Sequence, residues 1–378
     1  MRIIDRYLLR QFLGNFLICF LSLTGLYIVF DAFTNMEEFL RCADKEGGLL
    51  RLLGSFYLYH SVAFFDRTAP LLTLVAAMFT ITWIQRHNEM VALMSAGISR
   101  VRVAAPVLWA AMAITLFSAL NRELVIPRIS DQLTSRPQDL VGDKACDVHN
   151  CYDYQTNIWL RGESTYRDHL RITKPDFLLP SALDAYDRVL AGDVAFFKPA
   201  DGHHPAGYLL HGVTKPKDLA HKASLSLEGR PVIFTPRDNP TWLKPDECFV
   251  ASAITFDQLC GRDYWLEFAS TPQLITGLRN PANEFRADVR VMVHRRFVQP
   301  LLDITLLFLG LPLVLTRESR NVFFAIGLCM VVVATFTVLV MAFQHLGAIS
   351  SIPPSLGAWG PLFLAVPLAV GMSQAMWD

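Results

Sequence analysis

The side chains best suited to chemistry fall in the polar middle of the chain. Cys146, His149 and Cys151 lie within CDVHNC, and His203 with His204 follow in GHHP. Thiols and imidazoles hold a metal only as a deprotonated set closing around it, and neither spacing matches such a set. The thiols read as a disulfide or as ordinary loop cysteines. Cys248 and Cys260 can pair as well, and spacing does not choose a connectivity among Cys146, Cys151, Cys248 and Cys260. No G-x-x-x-x-G-K-[ST] loop occurs, so the chain lacks the cradle of a P-loop ATPase. H-E-x-x-H, G-x-S-x-G and C-x-x-C are missing too.

Charges beside apolar runs form a second group. Asp66 and Arg67 interrupt the approach to one apolar stretch, and RVMVHRRF sets Arg290, His294, Arg295 and Arg296 just before another. Arginine offers a planar fork to phosphate, so Arg67, Arg290, Arg295 and Arg296 are candidates for an anionic lipid headgroup. The plainer alternative is that they snorkel to the interface and anchor helices. Asp303 lies inside an apolar stretch, where a carboxylate is expensive. It is expected to face an arginine or a polar cavity.

A third candidate is mechanical. In RHNEMVALMSAGISRVRV, read as a helix, Met90, Leu93, Met94 and Gly97 share one face. Asn88 can cap its start, Glu89 suits the first turn, and Gly97 can end it. Methionines on an open face make an adaptable docking surface. The helix reads either as lying on lipid or as a plug into another protein's groove, with Glu89 meeting a basic side chain there. A chain with membrane helices and no motor of its own makes a separate ATPase a reasonable owner of that groove.

The elements that position these groups follow from hydropathy. The chain is 52% hydrophobic and 18% charged, where a soluble domain carries roughly a quarter charged residues. Uncharged tracts run from Gln11 to Phe30, Thr68 to Gln85, Val103 to Asn121 and Asn321 to Trp377. Such lengths cross a bilayer as helices, and six spans are expected. These are Phe12–Phe33, Val62–Ile84, Val103–Leu120, Phe297–Leu315, Val322–Phe343 and Trp359–Met376, with Pro353 and Pro354 turning the chain between the last two. The predicted plan is residues 1–121 with three spans and a cytoplasmic helix at 86–100, a polar domain at 122–294, and three spans at 295–378. In the polar domain, TNIWLRG, DVAFFK, GYLLHGV, ASLSLEG and PVIFTP read as strands of a sandwich or barrel, followed by a helical connector, STPQLITGLRN.

Arg2, Arg6, Arg10, Arg86, Arg100, Arg102, Arg317 and Arg320 fall on one side of a six-span chain, whereas Glu37, Glu38, Asp44 and Glu46 fall on the other. Both termini and the 86–100 helix are therefore expected in the cytoplasm and the large insert outside. The net charge is zero, which gives no pull toward nucleic acid. A secondary transporter would show ionisable relays and inverted repeats, and only Asp303 fits. Six spans are excessive for a tethered sensor.

These parts resemble the LptF/LptG (YjgP/YjgQ) permease family. The likeness is carried by DRYLLRQF, NEMVALMSAGISRVRVAAPVL, NIWLRG, HRRFVQPLLDITLLFLGLPLVL and IPPSLGAWGPLF, with DRY and GLYIVFD leaning to the LptG side. The resemblance implies an α-helical membrane protein with six transmembrane helices (3+3) and an inserted periplasmic β-jellyroll, in the bacterial inner membrane. It implies lipopolysaccharide as cargo and a paralogue as heterodimer partner. It also implies an LptB-like ATPase dimer holding ATP and Mg, an LptC-like single-span protein and an LptA-like periplasmic bridge. The chain itself would be no enzyme and bind no cofactor. Glu89, Met90, Leu93, Met94 and Gly97 would form the ATPase coupling helix, and lipid would contact spans one and two and the helix at Phe297. Family members often carry a basic residue in the outer half of span one. Here TGLYIVFDAF has none, and Arg67 is the candidate substitute.

Overall fold

The computed structural model describes residues 3–43, 48–134, 146–148, 150–166, 169–181, 188–201, 204–227, 229–280, 282, 287–315 and 322–374. Arg2, Asp44, Glu46, His149, His203, Arg317 and Arg320 lie outside them, as do the side chains of Cys146 and Cys329. The chain forms two compact units, residues 1–137 with 286–378, and residues 138–285. In chain order the first part holds α1 (Ile3–Thr34), α2 (Met36–Ala43), α3 (Leu49–Arg86), α4 (Glu89–Ser95), α5 (Arg100–Leu120) and α6 (Ser130–Thr134). The inserted unit holds β1 (Cys146–Asp147), β2 (Cys151–Asp153), β3 (Ile158–Leu160), β4 (Ser164–Tyr166), β5 (Arg171–Thr173) and β6 (Asp176–Leu178). It continues with β7 (Val189–Lys198), β8 (Gly207–Lys215), β9 (Leu225–Leu227), β10 (Arg230–Phe234), β11 (Cys248–Ala251), α7 (Phe256–Phe268) and α8 (Thr271–Arg279). Then come α9 (Ala287–Leu315), α10 (Val322–Ala348) and α11 (Pro354–Gln374).

Among the described residues six helices are long and apolar enough to cross a membrane: α1, α3, α5 with its continuation to Arg128, α9, α10 and α11. The helices α1, α3 and α5 outrun their uncharged tracts. The units divide at 137/138 and 285/286, against 121/122 and 294/295 from hydropathy, because helical turns continue into charged sequence at both places. After Leu120 the helix widens to a π turn, Asn121–Val125, then tightens to a 3-10 turn, Ile126–Arg128. Pro127 has no N–H for the preceding turn and its ring crowds that turn, so the α pattern gives way just before it.

The helical core joins α1, α3, α4, α5, α9, α10 and α11 through residues such as Phe12, Ile81, Met90, Val103, Leu302 and Ala365. Small residues bring α10 and α11 together: a Cβ built on Gly347 would lie 3.0 Å from the Gly357 Cα, so a larger side chain would push the two backbones apart.

In the inserted unit the strand pairs are antiparallel, and the sheet runs β1–β4–β5–β7–β8–β11–β10–β9. The long β7 pairs with β6 over Val189–Ala191 and with β5 over Val194–Phe196, while its other edge follows β8. A side branch leads from β6 through β3 to β2. Alternate residues turn inward, as in β3, where Ile158 and Leu160 are buried and Trp159 is exposed. Together with Phe177, Tyr208, Ile233 and Val250 they fill the core. The expected inserted β domain is thus present. The connector is α8, whose Ser270 and Gln273 form a reciprocal capping box. The preceding α7 was not expected from sequence, since Gly261, Tyr264 and Trp265 lower its helix propensity.

Cys151, Cys248 and Cys260 are free thiols, so the Cys248–Cys260 bridge that spacing allowed is not formed. Cys248 is fully buried in β11, and burial pushes its thiol well above the ordinary range. His204 packs tilted against Trp242, ring centroids 3.8 Å apart, rather than joining the cysteines. Asp153 is fully buried. It accepts from the N–H groups of Gln155 and Thr156 at 2.9 and 3.2 Å and from Ser252 Oγ at 2.6 Å. Asp153→Ala strands these donors, at a cost of about 1–3 kcal/mol each. The expected result is faster limited proteolysis within residues 138–285, with the helical unit still protected.

Candidate functional site

The short helix α4 follows α3 after a reversal at Asn88, whose φ is 60°. Asn88 does not cap α4 with its side chain as expected; it supplies the left-handed turn, a conformation asparagine tolerates. The far end closes as the sequence implied. Gly97 takes φ 77°, its N–H reaches Met94 O at 2.9 Å, and the Ile98 N–H reaches Leu93 O at 3.0 Å. This Schellman arrangement satisfies the last carbonyls.

The predicted face divides. Met90 is buried among the helical core residues, and Leu93 packs partly against them. Met94 is 41% exposed and its neighbour Val91 65%. A stripe spanning about 100° of a helix is wider than a groove between larger helices, so one margin is swallowed and the other left open. Burying Met90 contributes about 1.5–3 kcal/mol to holding α4 in place. Met90 is thus an anchor rather than part of an open docking face. Glu89 accepts from Tyr7 Oη at 3.1 and 3.3 Å. Arg102, in the first turn of α5, holds both carboxylate oxygens of Asp5 at 3.0 Å. At the end of α3, Gln85 Nε2 donates to Val314 O of α9 at 3.0 Å.

A polar pocket of about 40 Å³ lies between α5, its π turn and α9, lined by Thr115, Ser118, Arg122, Glu123, Arg296 and Asp303, among others. Arg122 donates to Asp66 Oδ2 through Nε and Nη2, both at 2.8 Å, and Ser118 Oγ donates to Oδ1 at 3.1 Å. Asp66 is 7% exposed and the Arg122 side chain 23%, so this mostly buried ion pair ties α3 to the π turn that continues α5. Arg296 lies 3.6 Å from Glu123 with its side chain 7% exposed. Asp303 accepts from Gln299 Nε2 at 2.7 Å. It faces the cavity, one of the two settings the sequence allowed. The π turn presents Arg122 and Glu123 in succession to Asp66 and Arg296, in keeping with the use of such bulges at functional positions.

The four candidate headgroup arginines do not form one group. Arg67, Arg290 and Arg295 are exposed, whereas Arg296, one residue and about 100° further round α9, turns inward to Glu123. Arg67 lies about 28 Å of helix rise from Arg86, close to the roughly 30 Å of a bilayer core. Asp31, which ends the uncharged part of span one, accepts from Tyr57 Oη at 2.8 Å. Tyr27 beside it stacks on Phe64 at 4.9 Å. Sequence reasoning missed Asp5, Tyr7, Arg102, Arg122 and Glu123. The sequence signal for the last two was a charge pair ending an uncharged run. For the others it was polar residues within the first turns of helices.

Among the described residues no group of three or more His, Cys, Asp and Glu side chains is placed to hold a metal ion. The arrangement is a small helix packed against the helical core and a charged pocket between α5, its π turn and α9. Comparison with curated proteins gives no match. Residues 6–167 and 245–374 match the family described as lipopolysaccharide export system permease LptF/LptG, leaving out a stretch that carries β5 to β10; the chain belongs to the LptF/LptG family.

Proposed function

We propose that this chain is the permease subunit of an ATP-driven exporter that lifts lipopolysaccharide, or a related glycolipid, out of the inner membrane and hands it to a periplasmic bridge. Its family makes it a lipopolysaccharide export permease, multi-pass in the inner membrane and working as a heterodimer with a paralogue. The finer reading places both termini and α4 in the cytoplasm and the β unit in the periplasm. ATP and Mg belong to a separate LptB-like dimer seated on α4. An LptC-like single-span protein and an LptA-like bridge complete the path. The observation that carries this reading is the division of α4: Met90 and Leu93 fix it to the helical core, while Val91 and Met94 stay open. A helix bound firmly on one side and apolar on the other can take a push and pass it on.

Arg67, Arg290 and Arg295, which are exposed, are the cations assigned to lipid phosphates, and Arg296 is left out because its side chain is buried. The test of the function is capture of a P-loop ATPase from solubilised membranes by the tagged chain with its paralogue. ATP-dependent lipopolysaccharide release follows after reconstitution. No ATPase captured, or release that does not need ATP, would refute the reading. For the cations, alanine at Arg67, Arg290 and Arg295 together is expected to reduce crosslinking of lipopolysaccharide to the chain. Unchanged crosslinking would remove them from the lipid path.

A further inference from the structure

The base of α1 is tied to the coupling region by contacts that the function above does not require. Asp5, Leu8 and Phe12 recur at the i, i+3, i+7 spacing of one helix face. Leu8 and Phe12 are almost wholly buried in the core cluster that also contains Met90, Val103 and Val107. Two polar contacts flank this seam: Asp5 with Arg102 at 3.0 Å and Tyr7 with Glu89 at 3.1 Å. One reaches the first turn of α5 and the other the first residue of α4. Above Phe12 the helix changes character. Thr24 is its remaining buried residue among those described, and Leu17, Ile18, Leu21, Val29, Phe30 and others are exposed. Its membrane-crossing stretch is 6% buried, compared with 44% for α3 and 50% for α9. Near the far end Asp31 and Tyr27 hold it to α3 through Tyr57 and Phe64.

We propose that the Asp5–Arg102 and Tyr7–Glu89 contacts form a clamp that makes α1 move with α4, so that force received at α4 reaches the span least buried among the described residues. The clamp residues are positioning residues. They touch no cargo, and they carry motion from the coupling helix to a helix about 48 Å long. Stability is not their main contribution, because Arg102 and Asp5 are 44% and 15% exposed and pairs of that kind add little. What they fix is direction. Leu8 and Phe12 hold α1 against the core, while the two polar contacts keep its base from sliding past α4 and α5.

This inference rests on the exporter reading, and its test separates the two. In the reconstituted complex, ATP hydrolysis and lipopolysaccharide release are measured together for wild type, Asp5→Arg, Arg102→Asp and the double swap. The singles are expected to keep ATP hydrolysis near wild type and lower lipid released per ATP by about threefold to tenfold, the range of a modest coupling energy. The swap is expected to restore the ratio. Tyr7→Phe, which keeps the ring and loses the hydroxyl, is expected to lower the ratio in the same direction. Singles with a wild-type ratio overturn the clamp alone, as does a swap that fails to rescue. Wild-type complex that releases no lipid with ATP overturns the exporter reading, and the clamp with it.

Discussion

Glutamate at both Val91 and Met94 is expected to reduce capture of the ATPase more than tenfold while membrane insertion and heterodimer assembly stay as in wild type. These side chains are the open margin of α4, at 65% and 41% exposure. If they enter a groove, they lose water there, and each apolar side chain fully buried contributes about 1.5–3 kcal/mol. A buried carboxylate without a partner adds its own desolvation cost, so two of them exceed the roughly 1.4 kcal/mol that a tenfold loss represents. The anchored side provides the control. Met90→Leu keeps volume and hydrophobicity, costs under about 1.5 kcal/mol, and is expected to leave capture unchanged. Glu89→Ala is expected to weaken capture less than the double glutamate, because Glu89 also serves Tyr7.

The largest effect on the helical unit is expected from Arg122→Leu. It leaves Asp66, 7% exposed, with Ser118 as its remaining hydrogen-bond donor among the contacts described. Removing one partner of a buried ion pair costs about 3–5 kcal/mol, whereas replacing both by apolar residues of similar volume is often neutral. Arg122→Leu should therefore lower the thermal unfolding midpoint in detergent markedly, and adding Asp66→Leu should recover most of the loss. Equal destabilisation by the single and the double would show that the Asp66–Arg122 pair does not tie α3 to the π turn that continues α5.

How far the sequence foretold this is clearest residue by residue. The spans were legible because backbone polar groups in lipid must be satisfied within a helix or a closed barrel, and uncharged runs as long as Gln11–Phe30 fit the helix. Gly97 was legible because an αL cap favours glycine, and STPQLITGLRN was legible as a helical connector, though not by its capping box. Met90 was assigned to the right helix and the right face, but periodicity says nothing of where a groove ends, so its burial was hidden. Arg296 was grouped with Arg295 by adjacency, and the 100° step between them sends one to Glu123 and the other to the surface. Asp5 with Arg102 and Tyr7 with Glu89 are separated by 97 and 82 residues. No local pattern encodes such contacts, which exist only once α1, α4 and α5 have packed.

The most direct measurement is photocrosslinking in living cells from a probe placed at position 94, where the side chain is open and the helix backbone is fixed. The account predicts one dominant adduct, to a P-loop ATPase, that disappears when Val91 is also changed to glutamate. Adducts confined to lipid or to proteins outside the cytoplasm would contradict it, because α4 would then have no motor to answer to.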